Sequence, residues 1–212
     1  MKGPAVEGRE NVPLAGGAIL VSNHLNNADP CVIPAILRRR VVTMAKKELF
    51  RWPVLNLLFY FFGAFPVDRS GADRAALREA QHVIDDGLLL LMFPEGTRSK
   101  DRRLHEGFPG SALVAYRTGA PIVPIAIWGT EHVPWPWVFF RPFIGPRVTI
   151  TFGKPFYPPH AERINSQAAR AATDEIMLHI AELLPESYQG EYREAVAAKR
   201  QSSGEIREAK PV

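Results

Sequence analysis

A histidine and an aspartate separated by four residues are the first candidates for chemistry, in the segment NHLNNADP. On a regular helix His24 and Asp29 would lie about 140° apart and would not share a face. Asp29 precedes Pro30, however, and a residue before proline is disfavoured in the helical conformation. The segment is therefore predicted to be a turn that brings the carboxylate back toward the imidazole. An imidazole whose Nδ1–H is held by a carboxylate presents Nε2 as a general base for an alcohol.

The same residues also allow a purely structural interpretation. Asp29 would then cap a helix that begins at Pro30, and His24 would be an ordinary polar residue at the end of a strand. The six-residue pattern does not decide between the two interpretations.

A second polar cluster follows the apolar run LLLLMF, in the segment FPEGTRS from Phe93 to Ser99. A glycine turn beside Glu95, Thr97 and Arg98 offers backbone N–H groups, a hydroxyl and a guanidinium. These are the components of a phosphate or oxyanion site. Taken alone, the segment is equally compatible with a strand-to-loop turn that carries a surface arginine.

Arg69 is a third candidate, because it follows the strand-like segment GAFPV. All three polar clusters come directly after apolar runs. In open α/β sheets, ligands bind at the carboxyl ends of the strands. If the sheet is parallel, we expect His24, Arg69 and Arg98 to share one edge of it.

Apolar runs alternate with helical patterns along the chain, which predicts an α/β fold with a mostly parallel central sheet flanked by helices. Strands are predicted at residues 17–23, 41–45, 63–69, 88–93, 121–129 and 147–153. Helices are predicted at residues 30–40, 52–62, 73–86, 111–118 and 161–184. We interpret residues 1–185 as a single domain and residues 186–212 as a polar C-terminal tail.

The charge distribution favours anionic ligands. The net charge is +4, and residues 38–103 hold 13 Lys and Arg against 8 Asp and Glu. Such an excess suits phosphate groups or an anionic membrane face, whereas nucleic acid is not favoured because no regular aromatic spacing accompanies the basic residues. The six histidines show no metal-ligand spacing, so no metal site is expected. The single cysteine excludes an internal disulfide and favours a reducing compartment.

The apolar segment from Trp52 to Val67 is 16 residues long and carries no charge, and the N-terminal sequence has no apolar signal core. The segment is shorter than the roughly 20 apolar residues that span a bilayer, and it contains two prolines. It is compatible with a core helix and strand, or with a helix that lies partly against lipid.

Four segments in order, NHLNNAD, GAFPVDR, FPEGTRS and PIVPIAI, resemble the motifs of the glycerolipid acyltransferase family, specifically its lysophosphatidic acid acyltransferases (1-acylglycerol-3-phosphate O-acyltransferases). The resemblance covers roughly residues 8–155. It implies that His24 is the catalytic base and that Asp29 is its partner.

The resemblance also implies a phosphate site for the acceptor. Its members would be Arg69 and Arg98, with the backbone of Glu95, Gly96 and Thr97. The fourth motif, PIVPIAI, would be mainly structural. One departure is that GFPG (107–110) lacks the basic residue that family members often carry before the glycine that opens the next helix, so a phosphate contact from that position is not expected.

The implied activity is transfer of a fatty acyl group from acyl-CoA or acyl carrier protein to the hydroxyl of lysophosphatidic acid, in phospholipid biosynthesis. The thioester is a co-substrate, so no cofactor is expected. The lipid acceptor implies peripheral association with a membrane surface on the cytoplasmic side. A direct transfer without an acyl-enzyme is expected, because a thiolate is already a good leaving group.

Three alternatives remain open at this stage. The acceptor could be glycerol 3-phosphate or another lysolipid. The chain could instead be a serine thioesterase or hydrolase that uses Ser22, although it has no G-x-S-x-G segment, or a non-catalytic module that binds lipid phosphates. Cys31 is interpreted as a small buried residue rather than a nucleophile.

Overall fold

The computed structural model describes residues 4–46, 64–67, 74–132, 148–158 and 164–202. Seven strands within these stretches form one sheet. In chain order they are β1 (Ala5–Glu7), β2 (Ala18–Ser22), β3 (Val41–Lys46), β4 (Ala64–Val67), β5 (Leu89–Met92), β6 (Ile122–Trp128) and β7 (Thr149–Phe152). Their order across the sheet is β1-β7-β6-β2-β5-β3-β4.

Five successive strands, from β6 through β2, β5 and β3 to β4, are parallel neighbours. At one edge β7 is antiparallel to β6, and β1 is parallel to β7. The predicted α/β fold with a mostly parallel sheet is therefore confirmed. Because the five strands share one direction, their carboxyl ends form a common edge, where ligands bind in such sheets.

Helices of the described residues cover both faces of the sheet. They are α1 (Asp29–Ala35), α2 (Arg74–Asp85), α3 (Gly110–Thr118), α4 (Ser166–Leu183) and α5 (Arg193–Ser202). Alternate residues of β2 enter different cores: Ile19 packs in the cluster that contains residues of α2, α3 and α4, and Leu20 in the cluster that contains Ile33 of α1. Each such fully buried side chain stabilises the fold by about 1.5–3 kcal/mol.

The described elements differ from the sequence prediction in three respects. The strand β1 was not predicted, and β7 runs against the direction of its neighbour β6. The helix α1 ends at Ala35 rather than at residue 40, with Pro34 in its last turn, where a residue without an N–H cannot extend the hydrogen-bonding pattern. The helix predicted at 52–62 lies outside the described residues.

Residues 186–202 also belong to the packed structure. Two short 3₁₀ turns, Glu186–Tyr188 and Gly190–Tyr192, connect α4 to α5, and Tyr192 and Val196 are buried in the core. The interpretation of this region as a polar tail missed these contacts, because only isolated apolar residues point inward. No helix of the described stretches is long and apolar enough to cross a membrane.

Candidate active site

The turn that carries His24 begins at Asn23, directly after the end of β2. The Asn23 side chain is buried, its Nδ2 donates to the carbonyl of Ile127 at 2.8 Å, and its Oδ1 accepts from the Ile127 N–H at 2.9 Å. The amide thereby replaces a missing pair of strand hydrogen bonds to β6. This pairing holds the start of the turn against a neighbouring strand.

The Asp29 carboxylate closes the turn. Its Oδ2 accepts from Nδ1 of His24 at 2.9 Å and from the backbone N–H groups of Leu25 and Asn26, both at 2.7 Å. The side chain is fully buried, and Oδ1 has no hydrogen-bond partner within the described part of the chain. Asp29 is the first residue of α1 rather than the residue before it, so the predicted capping position is wrong by one. One oxygen therefore shapes the turn and orients the imidazole.

The His24 ring is held so that one nitrogen remains for chemistry. A carboxylate oxygen only accepts hydrogen bonds, so the Nδ1 that faces Asp29 must carry the proton and Nε2 must be the basic nitrogen of the neutral ring. The ring stacks on Phe93, with centroids 4.3 Å apart and planes at 27°. The His24 side chain is 14% exposed, which leaves it reachable for a substrate.

The backbone of His24 is fixed by the loop that follows β5. Its N–H donates to Oε1 of Glu95 at 3.0 Å, and its carbonyl accepts from the N–H of Ser99 at 2.8 Å. The other oxygen of Glu95 accepts from the N–H of His105 at 3.3 Å. The loop after β5 therefore binds both the N–H and the carbonyl of His24.

Glu95 is an unusual carboxyl group because it is almost completely buried. Burial raises the pKa of Glu95 to about 7, although the hydrogen bonds from the His24 and His105 amides oppose the rise. At neutral pH the group therefore titrates, so the charge beside the His24 backbone changes within the physiological range.

The tip of the same loop requires a glycine. Gly96 has a φ of +65°, and its N–H donates to the carbonyl of Phe93. A Cβ at Gly96 would lie 3.0 Å from the ring of Phe108, whose own N–H donates to the carbonyl of Pro94. The exposed Phe108 ring thus lies directly over the glycine turn.

A second histidine, His105, contacts Asp101 within the later part of the same loop. Nε2 of His105 lies 2.8 Å from Oδ1 of Asp101, which also accepts from the Ser99 hydroxyl and the Arg103 N–H. Burial opposes ionisation of Asp101, but the hydrogen bonds from His105, Arg103 and Ser99 together lower its pKa to about 2. The charged Asp101 keeps the loop folded back on itself.

The structure brings some of the predicted residues together. His24, Asp29 and Glu95 are in direct contact or share a hydrogen-bonded partner. Thr97 and Arg98 are exposed and lie between Glu95 and Ser99, which both bind the His24 backbone. Arg69 lies outside the described residues. The roles of these residues in binding phosphate stay predictions.

Sequence reasoning missed three supports of the turn. Asn23 pairs with β6, and Asn26 donates from Nδ2 to the carbonyl of Thr130 at 2.8 Å and accepts from the N–H of Ala28 at 3.0 Å. The carboxylate of Glu95 faces inward to the backbone rather than toward a ligand. The three asparagines of NHLNN are the sequence feature that could have indicated these additional hydrogen bonds.

The comparisons with known proteins agree with the geometry. A family model described as Acyltransferase matches residues 3–128, which is more than half of the chain. The chain belongs to the acyltransferase family. Among solved structures, the 1-acyl-sn-glycerophosphate (LPA) acyltransferase PlsC from Thermotoga maritima is similar, with a TM-score of 0.64 and 26% identity, covering 99% of this chain and 75% of that chain.

Relatives of known description include two 1-acyl-sn-glycerol-3-phosphate acyltransferases. The one from Cocos nucifera is 36% identical over 121 residues, which are 56% of this chain and 39% of the relative. The one from Borreliella burgdorferi is 30% identical over 129 residues, which are 60% of this chain and 52% of the relative. The match therefore spans about half the length of these relatives or less.

The Asp29→Asn substitution tests the turn itself. It removes the charge from an oxygen that accepts three hydrogen bonds in a buried place, so we expect the free energy of unfolding to fall by about 1–3 kcal/mol. Urea unfolding followed by circular dichroism measures the change. The exposed Asp86→Asn variant is the control, with an expected change below about 0.5 kcal/mol; equal effects of the two substitutions would contradict the assignment.

The buried Glu95 predicts a specific dependence of stability on pH. Its pKa is about 7 in the folded chain and 4.5 as the ordinary value, so the folded state holds the proton more tightly. The stabilisation from this proton is complete below pH 4.5 and is lost as the pH rises to about 7. Over that range the free energy of unfolding should fall by up to about 3 kcal/mol.

Glu95→Gln is the neutral counterpart of the protonated acid. Its free energy of unfolding should therefore fall less than that of the wild type between pH 5 and pH 8, measured by urea unfolding at each pH. Glu79→Gln, which replaces an exposed glutamate on α2, should follow the wild-type curve. Parallel curves for wild type and Glu95→Gln would show that Glu95 is ionised throughout this range.

Proposed function

We propose that this chain transfers a fatty acyl group from acyl-CoA or acyl carrier protein to the hydroxyl of lysophosphatidic acid, with His24 as the general base. The observation that carries the proposal is the 2.9 Å contact between Nδ1 of His24 and Oδ2 of Asp29. It directs the basic Nε2 away from the carboxylate, where an acceptor hydroxyl can reach it. The names of the relatives supply the substrate class.

The reaction follows from this arrangement. Nε2 of His24 takes the proton of the acceptor hydroxyl while that oxygen attacks the carbonyl carbon of the thioester. The tetrahedral intermediate collapses with cleavage of the C–S bond, and the leaving thiolate takes the proton back from the imidazolium. A thiol has a pKa of roughly 8.5, so its departure requires no stronger acid. The Asp29 carboxylate stabilises the charged ring.

The acceptor phosphate is proposed to bind the loop after β5. Arg98 is exposed and adjacent in sequence to Ser99, whose N–H binds the carbonyl of His24. A phosphate bound there lies beside the catalytic turn, and holding the hydroxyl near Nε2 supplies much of the rate. The Gly96 N–H already donates to Phe93, so that glycine contributes the shape of the turn. Arg69 is the second proposed cation.

Association with the cytoplasmic face of a membrane remains part of the proposal. The acceptor and the product are amphiphiles, and the positive charge of the chain favours an anionic lipid surface. Phe108, which is 67% exposed beside the glycine turn, offers an apolar ring near His24, which supports contact with a lipid surface.

A serine hydrolase is not supported by the geometry. Ser22 is fully buried in β2, and its hydroxyl donates to the carbonyl of Asn23 at 3.0 Å. It therefore does not present an oxygen to the basic nitrogen of His24. The part of the chain described by the structure contains no group of three side chains that could hold a metal ion.

The decisive assay measures thiol release from acyl-CoA and from acyl carrier protein, with lysophosphatidic acid, glycerol 3-phosphate or no acceptor. His24→Ala should lower kcat by about 10²- to 10⁴-fold, since that is the contribution of a positioned base. His82→Ala, an exposed histidine on α2, is the matched control and should keep wild-type turnover.

The same assay separates binding from chemistry. Arg98→Ala should raise the KM for the phosphate-bearing acceptor by about tenfold or more, with a smaller effect on kcat. Release of thiol by the wild type at an undiminished rate without acceptor would instead identify a hydrolase. Wild-type turnover by His24→Ala would show that His24 is not the general base.

Cys31 provides a separate test of direct transfer. Burial, and to a lesser extent the charge of Asp29, raises the pKa of the Cys31 thiol to about 11, so very little thiolate exists at pH 7.5. As the single cysteine of the chain, it should react slowly with iodoacetamide, measured by mass spectrometry. The Cys31→Ala variant should keep its activity within about twofold; an acyl group trapped on Cys31 would contradict direct transfer.

A further inference from the structure

The short segment 188–191, between α4 and α5, lies against the loop that carries Glu95. The N–H of Leu104 donates to the carbonyl of Tyr188 at 2.9 Å, and the N–H of Glu191 donates to the carbonyl of Leu104 at 3.2 Å. The two bonds pair the segment with Leu104 from both sides. The residue after Leu104 is the one whose N–H binds the Glu95 carboxylate, so this pairing fixes one of the two amides that hold Glu95.

A glycine permits this close approach. Gly190 has a φ of +53°, and a Cβ there would lie 2.0 Å from the carbonyl oxygen of Leu104. No other residue type fits between the two chains. The neighbouring Gln189 is buried, and its Nε2 donates to the carbonyl of Leu184 at 3.0 Å. The segment is therefore anchored to the end of α4 while it touches the loop.

The side chain of Tyr188 reaches a different loop. Its hydroxyl donates to Oε1 of Glu131 at 2.5 Å, and Oε2 of Glu131 accepts from the N–H of Gly129, just after β6. The next residue, Thr130, accepts from Nδ2 of Asn26 in the catalytic turn. Burial, assisted by the hydrogen bond to Glu131, raises the pKa of Tyr188 to about 12, so the hydroxyl keeps its proton at neutral pH.

We propose that Tyr188 is a positioning residue for acyl transfer, because its carbonyl holds the loop after β5 and its hydroxyl holds the loop after β6. These two loops bind the catalytic turn on its two sides, through Glu95 and through Asn26. The inference rests on the proposed function, since Tyr188 acts through His24 and does not touch the reacting groups. It lies outside residues 3–128, the part matched by the family model.

Two matched variants test the proposal. Tyr188→Phe removes the hydroxyl that binds Glu131, and Tyr116→Phe removes a hydroxyl that donates to the carbonyl of Ala168, away from the turn. Both tyrosines are partly buried against the same core cluster. Tyr188→Phe should lower kcat by about three- to tenfold with an acceptor KM within about twofold of wild type, whereas Tyr116→Phe should change neither beyond about twofold.

Amide hydrogen exchange gives a readout that does not depend on activity. In Tyr188→Phe the amides of Leu25 and Asn26, which donate to Asp29, should exchange several-fold faster, while the amides of α4 should not change. In Tyr116→Phe the amides of the turn should exchange at the wild-type rate. A wild-type kcat and unchanged exchange in Tyr188→Phe would overturn the proposal, as would an equal loss in both variants.

The two hypotheses fail in different ways. If the wild type releases no thiol with any acceptor, the proposed function is wrong, and the exchange rates alone decide whether Tyr188 holds the turn. If Tyr188→Phe does not fold, Glu131→Gln is the second variant, because it removes one of the two hydrogen-bond acceptors at the same junction. Unchanged exchange at Leu25 and Asn26 in folded Glu131→Gln would overturn the positioning role.

Discussion

The Asp29 carboxylate is the interaction on which the site depends. One oxygen accepts the Nδ1–H of His24 and two backbone amides of the turn. The hydrogen bonds to the backbone make the turn tight enough to return the chain to the imidazole. The bond to the ring then fixes which nitrogen carries the proton. The same oxygen therefore shapes the turn and, in the proposed mechanism, orients the base.

The remaining contacts hold that turn at the carboxyl edge of the sheet. Asn23 pairs with β6, and Asn26 reaches the residues that follow β6. On the other side, Glu95 and Ser99 bind the two main-chain groups of His24. Side chains near the ends of three parallel strands thus share one network. Ionisation of the buried Glu95 is costly, and the hydrogen bonds that it accepts from two backbone amides offset part of that cost.

Much of this arrangement follows from the sequence. The alternation of apolar runs and helical patterns predicts the parallel sheet, which places the ends of β2 and β5 at one edge. The proline after Asp29 predicts a turn that returns the carboxylate to His24; the contact is present, although Asp29 itself is the first residue of α1 and not a residue outside the helix. These inferences depend on local patterns, which can be recognised in a single sequence.

Other features depend on contacts between distant parts of the chain. The motif around Glu95 predicts a phosphate loop, but spacing alone does not show that the carboxylate points inward to the His24 amide. The reversed direction of β7 leaves no periodic signal. The segment at Gly190 pairs with Leu104 across a long stretch of the chain: the neighbouring residues His105 and Glu191, whose side chains are in contact, are 86 positions apart. Only close packing in three dimensions reveals that this glycine is required.

The tautomer of His24 tests the role of the Asp29 carboxylate most directly. Nitrogen-15 NMR of protein labelled at histidine is recorded at a pH high enough for the His24 ring to be neutral. The chemical shifts of the two ring nitrogens then show whether Nδ1 or Nε2 carries the proton. We expect His24 to carry its proton on Nδ1, where Asp29 accepts it, and to have an unprotonated Nε2. A neutral ring with its proton on Nε2 would contradict this expectation, because that nitrogen could not accept the hydroxyl proton.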